Sequence, residues 1–192
     1  MMLSANWNLN RYCNIFIEIL KLCSSYKYTY PSLLQAMDSN EINKFAKRLG
    51  IKDFIGVFAV DELTLIPKSR TGLLIFNTDT AENIGQHWIA LCVTKNNIYY
   101  FDSLSGSFQH SIHFEEYIKF VKKRLTWNTI QIQHNVSDKC GIHCLVFCYA
   151  MRKKRNRTNY ERFLNNFLNL SIENREHLSL ELFRLIKTIC CL

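Results

Sequence analysis

The sequence contains few of the residues that interrupt a compact fold. It has two prolines and six glycines among 192 residues and no low-complexity tract, which excludes a disordered or linker-rich chain. No repeat of about 20 to 50 residues is present, so a solenoid is also excluded. No apolar run reaches the roughly 20 residues that a membrane-spanning helix needs. With 48% hydrophobic residues, the chain can build one good core.

A disulfide framework is equally poorly supported, although the chain has eight cysteines. There is no CxxC pair, and Cys140, Cys144 and Cys148 recur every four residues. That spacing places the three on one face of a helix, where neighbours cannot pair without strain. The histidines His110, His113, His134 and His177 form no metal-ligand spacing with the cysteines. The pattern predicts free thiols in a reducing compartment, such as cytosol or nucleus, and no metal site.

Positive charge is in excess. The net charge is +8 and the isoelectric point is near 9.1, which favours polyanionic partners: nucleic acid, an acidic lipid surface or acidic proteins. The densest basic run admits three interpretations, namely a solvated loop, a DNA-contacting patch or a nuclear-localisation signal. Its members are Arg152, Lys153, Lys154, Arg155 and Arg157.

The hydrophobic periodicity predicts an α+β fold with a small, mainly antiparallel sheet. We expect helices over residues 9–23, 38–49, 114–124 and 140–151, and two more in 158–192. We expect strands over residues 54–60, 73–77, 87–93, 98–102 and 128–133. The helix at 140–151 is apolar on nearly every face, so it should be the buried central helix, with the other helices packed around it.

His87 and Asp102 lie on two strands that residues 94–97 join as a hairpin turn. If the turn centres near residues 95 and 96, the position opposite His87 lies between about 102 and 105 by antiparallel pairing. The two side chains then share a face of the sheet if the numbers of two directly paired residues add up to an odd number. A carboxylate there would accept the imidazole N–H, fix its tautomer and favour the imidazolium form.

Cys140 is the only one of the eight cysteines that follows a polar loop and opens a helix. The positive end of the helix dipole and a nearby imidazolium both favour a thiolate there. Gly141 would let the backbone of a neighbour approach closely. Donors for a developing oxyanion are the Cys140 backbone N–H and a side-chain amide from Gln131 or Gln133, which point the same way in the predicted strand. His143, one turn later, is expected to be a helix-face residue.

Four blocks of sequence carry these residues. They are residues 37–41 (MDSNE) with 49–58; residues 85–88 (GQHW); residues 99–102 (YYFD) with Gly106 following; and residues 133–144, from the Gln to the Cys-Gly helix start. In this order and spacing they resemble the adenovirus maturation protease family (adenain) of cysteine peptidases. More broadly, they resemble the clan that includes the SUMO and ubiquitin-like-protein proteases. The resemblance covers roughly residues 37–147.

The resemblance implies a role for each matched residue. Cys140 is the nucleophile, His87 the general base, Asp102 its orienter and Gln133 an oxyanion donor, while Trp88 packs beside the site. The reaction implied is peptide-bond hydrolysis through a thioester acyl-enzyme. That family cuts viral precursor proteins during virion maturation, preferring Gly near the scissile bond. The domain division implied is a helical N-terminal extension over residues 1–36 and a cysteine protease domain over residues 37–192.

The same resemblance bears on partners and location. It implies a monomer in the virion and host nucleus, or in the cytosol, that needs no cofactor for its chemistry and has no membrane partner. It also implies activation by DNA or by a viral peptide. In the adenovirus enzyme that peptide is tethered to a cysteine between the acid and the Gln. Because residues 103–132 contain no cysteine, we do not expect disulfide tethering here.

Two further departures keep other functions open. The acid is Asp102, where the adenovirus enzymes commonly carry Glu and the SUMO-protease branch uses Asp. About 36 residues precede the match at Met37. One alternative is therefore a deSUMOylase- or deubiquitinase-like protease, and another is a basic DNA-binding virion protein with a vestigial site. The seven-residue separation of Gln133 from Cys140 and the upstream match favour the maturation protease.

Overall fold

The structure is a computed structural model that describes residues 35–105 and 111–190. The helix predicted over residues 9–23 and nearly all of the predicted extension lie outside the described residues, so the domain division stays a prediction. Across the two described ranges, no helix has both the length and the apolar character that crossing a membrane requires.

Five strands form one sheet in sequence order: β1 (Phe54–Ala59), β2 (Gly72–Asn77), β3 (Trp88–Val93), β4 (Asn97–Phe101) and β5 (Arg124–Trp127). The two central pairings are antiparallel, as predicted, whereas β1–β2 and β4–β5 are parallel. The α+β class is therefore confirmed, but the sheet is mixed rather than mainly antiparallel. The reason is that a helical crossover, and not a hairpin turn, makes each outer connection.

Residues 35–105 and 111–190 also contain five α-helices: α1 (Ser39–Arg48), α2 (Ile112–Val121), α3 (Cys140–Met151), α4 (Arg157–Asn165) and α5 (Ile172–Cys190). A 3₁₀ helix at Val60–Leu65 connects β1 to β2, and α2 connects β4 to β5. The predicted start of α1 is confirmed, because Asp38 Oδ1 accepts from Glu41 N at 2.8 Å and Glu41 Oε2 accepts from Asp38 N. This reciprocal capping satisfies two backbone donors at the helix end.

The strand predicted over residues 128–133 is wrong. Helix α2 ends at Val121 because Lys122 adopts the left-handed conformation (φ 53°), and the strand then occupies Arg124–Trp127. At the next position the Asn128 side chain replaces a strand partner: its amide accepts from Asp102 N and donates to Asp102 O. The chain therefore leaves the sheet at Asn128, and the alternation that follows lies in a loop.

The sheet has buried apolar residues on both faces: on one face Phe76 and Leu91 pack with Phe114 of α2, and the other face packs against α3. Phe147 of α3 is fully buried and stacks on Phe101 of β4, with ring centroids 4.9 Å apart. Phe163 of α4 meets both rings edge-on at 5.4 and 5.5 Å. The buried central helix is thus confirmed. Aromatic packing fixes its distance from β4, and thereby the position of its first residue relative to the end of that strand.

We predict that Phe147→Ala destabilises the protein by about 3 to 5 kcal/mol, because the substitution leaves a cavity between helix and sheet. Urea unfolding would measure the change. Leu168→Ala is the control, since that side chain is 49% exposed and should change stability by no more than about 0.5 kcal/mol. Equal effects of the two substitutions would contradict this description of the core.

Candidate active site

The β3–β4 hairpin brings His87 and Asp102 together, as the sequence predicts. Ala90 pairs with Phe101, so continuing the register sets Asp102 opposite Ile89, with His87 diagonally across on the same face. His87 Nε2 donates to Asp102 Oδ1 at 2.7 Å. The side chains are only 16% and 14% exposed, so the contact is largely shielded from water.

The loop before β3 fixes the position of His87. Asn77, at the end of β2, accepts from Gln86 N through Oδ1, and Thr78 N donates to His87 O at 2.9 Å. Gly85 has φ +90°, and a Cβ there would lie 2.4 Å from the Asn77 amide nitrogen. Only glycine fits this position, because both the backbone conformation and the close approach exclude a side chain.

Asp102 is held from two sides. Its backbone N–H and C=O both bond to the Asn128 amide, and its Oδ1 also accepts from Leu104 N at 2.8 Å. The carboxylate is therefore fixed by its own turn before it meets His87. Sequence reasoning missed Asn128, because the residue looked like the first member of a strand.

Cys140 is the first residue of α3 and remains 8% exposed. Its side chain lies close enough to the His87 ring to help raise the pKa of that ring, and because Nε2 faces Asp102, the nitrogen left for the sulfur is Nδ1. A Cβ on Gly141 would lie 3.3 Å from the Trp88 ring, so the glycine permits the close approach of α3 to β3 that the sequence predicted. Trp88 lies beside the site, and its indole N–H donates to Met37 O at 2.9 Å.

The charge state of His87 follows from these contacts. Burial by itself would lower the pKa of the imidazole, but the hydrogen bonds to Asp102 and Cys140, with the charges of both, outweigh it. Together they raise the pKa of His87 to about 9. The ring is therefore an imidazolium at neutral pH, hydrogen-bonded to the Asp102 carboxylate and close to the Cys140 side chain.

Of the two candidate amides, Gln133 retains a hydrogen-bond donor and Gln131 does not. Gln131 Nε2 donates to Gln133 O at 2.9 Å and to Asn135 Oδ1 at 2.6 Å, which uses both of its hydrogens. Gln133 is 2% exposed, and its Nε2 donates one hydrogen to Ser137 O at 2.5 Å. Its Oε1 accepts from Ser103 Oγ at 2.7 Å. One amide hydrogen of Gln133 thus remains for a further acceptor.

Ser103 links the acid to the amide. It follows Asp102, is fully buried, and its carbonyl oxygen accepts from both Ile132 N (2.7 Å) and Gln133 N (2.9 Å). The loop that carries Gln133 is therefore attached to the residue beside the carboxylate. No local pattern marks Ser103 in the sequence, because its partners lie about 30 positions away.

The comparisons with known proteins bear on the fold. No protein-family model and no curated protein matches the sequence. Among solved structures, the chain is similar to the ASFV pS273R protease (TM-score 0.54, 15% identity, covering 85% of this chain and 77% of that one). It is also similar to ChlaDub1 from Chlamydia trachomatis (TM-score 0.52, 15% identity, covering 85% and 96%). The chain shares the α+β fold of these two proteins. The predicted fold is thereby confirmed.

The basic run lies after α3 and has several partners within the protein. Lys153 and Lys154 are exposed. The three arginines make the following contacts: Arg152 stacks on the Tyr149 ring at 3.3 Å, Arg155 pairs with Asp53 at 3.0 Å, and Arg157 pairs with Glu161 at 2.6 Å. The DNA role of these residues stays a prediction.

We predict that alkylation of Cys140 by iodoacetate slows as the pH rises through about 9. The imidazolium attracts the anionic reagent, and His87 loses its proton near that pH. In Asp102→Asn the decline should occur at lower pH, because the carboxylate is one cause of the raised pKa. Mass spectrometry of the labelled peptide would give the rates. A rate that keeps increasing through pH 9 in the wild type would contradict the ion pair.

If the run binds DNA, replacing Lys153 and Lys154 by Gln should weaken duplex binding at low salt. Each lost phosphate contact should reduce the slope of log K against log salt by about 0.9. Fluorescence anisotropy over a salt series measures this slope. The control is Lys44→Gln with Lys47→Gln, an equal charge change on α1. An identical slope in both double variants would reject a specific role for the run.

Proposed function

We propose that the chain is a cysteine endopeptidase with Cys140, His87 and Asp102 as its catalytic triad. The observation that carries this proposal is the hydrogen bond from the His87 ring to the Asp102 carboxylate, with the Cys140 side chain close enough to help raise the pKa of that ring. The sulfur lies at the start of a buried helix, where the helix dipole favours a thiolate. The likeness in fold to the ASFV pS273R protease supports the same reaction class.

Acylation would begin with attack of the Cys140 thiolate on the carbonyl carbon of the scissile bond. A C–S bond forms, and the carbonyl π electrons move to the oxygen. The Cys140 backbone N–H and the remaining amide hydrogen of Gln133 are the donors for that oxyanion. As the C–N bond breaks, His87 donates its proton to the departing amine, leaving a thioester and a neutral imidazole.

Deacylation would use the same groups in reverse order. Neutral His87 takes a proton from water, and the oxygen attacks the thioester carbon. The C–S bond then breaks, which releases a carboxylic acid and restores the thiolate–imidazolium pair. Asp102 keeps the ring in one orientation through both steps, since its Oδ1 is fixed by Leu104 N as well.

As substrates we propose viral precursor proteins, cut during virion maturation. The support is the order and spacing of the sequence blocks that resemble the adenovirus protease family. Activation by DNA or by a viral peptide, a monomeric state, and a location in the virion and host nucleus or the cytosol belong to the same proposal. A deSUMOylase- or deubiquitinase-like activity fits the fold about equally, and the use of Asp102 as the acid favours it.

We predict that Cys140→Ala abolishes cleavage of a peptide library, because no other group on the chain would form the thioester. Cys148→Ala is the matched control on the same helix, where the fully buried thiol packs in the core. It should retain cleavage. Mass spectrometry of the products measures both activities. Cleavage that survives in Cys140→Ala would refute the triad.

The same assay distinguishes the two substrate classes. One arm offers peptides with Gly near the scissile bond, and the other offers ubiquitin-like proteins fused after a Gly-Gly tail. A maturation protease should cut the peptides without a folded ubiquitin-like domain. Cleavage restricted to the fusions would establish the alternative. No labelling of Cys140 above the rate of the other cysteines would instead favour a vestigial site.

A further inference from the structure

Glu176 is a buried acidic residue that the triad does not use. It lies in α5, about 5% exposed, and buried carboxylates are rare unless other groups compensate their charge. Burial by itself would raise the pKa of Glu176. The neighbouring His143 and Ser137 side chains and the hydrogen bond from the His134 backbone N–H outweigh that effect and lower it. Glu176 is therefore a carboxylate at neutral pH.

One partner of Glu176 belongs to the helix that carries the nucleophile. His143 is fully buried in α3, one turn after Cys140. Its Nδ1 lies 2.8 Å from Ser179 Oγ, and its Nε2 lies 3.7 Å from Glu176 Oε1. Burial lowers the pKa of His143, so the ring is neutral at neutral pH. Its Nε2 edge faces the Glu176 carboxylate. Far from being an ordinary helix-face residue, His143 connects α3 to α5.

The other partners of Glu176 belong to the loop before Cys140. His134 N donates to Glu176 Oε2 at 3.3 Å, and the Ser137 side chain is near enough to help lower the pKa of the same carboxyl. His134 and Ser137 close one turn, since Ser137 N donates to His134 O at 2.9 Å. Glu176 thus holds the first residue of the turn that ends at Ser137.

That turn determines the direction of the candidate oxyanion donor. The Ser137 carbonyl oxygen accepts one of the two Gln133 amide hydrogens. Because the amide group is planar, fixing one N–H and the Oε1 partner also fixes the direction of the other N–H. A shift of Ser137 would therefore rotate the remaining donor of Gln133 while leaving the Cys140–His87–Asp102 contacts in place.

We propose that Glu176 is a positioning residue for the oxyanion site, acting through Ser137 on the side-chain amide of Gln133. The inference rests on the proposed function, because it requires that Gln133 serves an acyl-transfer step. It assigns a part in that step to α5, in which Glu176 lies 36 residues after Cys140 in the sequence.

Two reactions of the same thiol separate a positioning role from a structural one. Acylation by p-nitrophenyl acetate passes through an oxyanion, whereas alkylation by iodoacetamide does not. We expect Glu176→Gln to slow the acylation burst about 10-fold or more, since displacement of a donor by about 1 Å can cost 10²-fold. The iodoacetamide rate of Cys140 should stay within about 2-fold, and it also reports that the variant is folded.

Two further variants make the comparison specific. Glu173→Gln, an exposed residue one turn earlier in α5, is the matched control and should match the wild type in both reactions. Ser137→Ala removes the hydroxyl that helps to lower the pKa of Glu176 but keeps the carbonyl that Gln133 uses, so it should slow acylation while leaving alkylation unchanged. It tests the same link if Glu176→Gln does not fold.

A double-variant cycle tests whether Glu176 acts through Gln133. Gln133→Ala alone should slow acylation about 10²- to 10³-fold, and adding Glu176→Gln should cost nothing more. This inference alone would be overturned if the acylation rate of the double variant fell by the product of the two single effects. Unchanged acylation in both Glu176→Gln and Ser137→Ala would overturn it as well. A wild type that alkylates at Cys140 but is never acylated would overturn the proposed function itself.

Discussion

The antiparallel pairing of β3 with β4 is the constraint on which the candidate site depends. It sets Asp102 on the same face as His87, and a shift of one residue would turn every side chain of one strand to the opposite face. The same pairing positions Ser103, whose carbonyl oxygen accepts from the backbone of residues 132 and 133. One register therefore determines where the acid meets the imidazole and where the loop that carries Gln133 is attached.

Packing sets the other half of the geometry. The stacked rings of Phe101 and Phe147 fix α3 against β4, and Gly141 allows the helix start to approach Trp88. Cys140 is therefore placed by the core and His87 by the sheet. Both side chains are thus held close to rigid backbone, as a pre-organised catalytic site requires.

Local signals in the sequence were sufficient for these rigid parts. The apolar run at 140–151, the capping pair Asp38 and Glu41, and the four-residue hairpin turn each carry their structural information within a few positions. The turn length places Asp102 near His87, whereas the register that sets both on one face is given by the pairing of Ala90 with Phe101. The parallel pairing of β1 with β2 and of β4 with β5 was harder to predict. No local pattern indicates whether a strand pairs with its neighbour in the parallel or the antiparallel direction.

The loop from Asn128 to Lys139 was beyond local reasoning for a different reason. Its polar alternation is that of a strand, yet its hydrogen bonds go to distant partners. The Asn128 side chain bonds to the Asp102 backbone, and the backbone N–H groups of Ile132 and Gln133 bond to Ser103 and that of His134 to Glu176. Arg175 adds a contact from α5 to the Gln131 carbonyl at 3.0 Å. Sequence reasoning could name Gln131 and Gln133 as alternatives, but only these long-range contacts decide between them. Because polar contacts to α5 hold this loop, whereas the packed core holds the start of α3, a substitution in α5 can shift the Gln133 amide without displacing the Cys140 thiol.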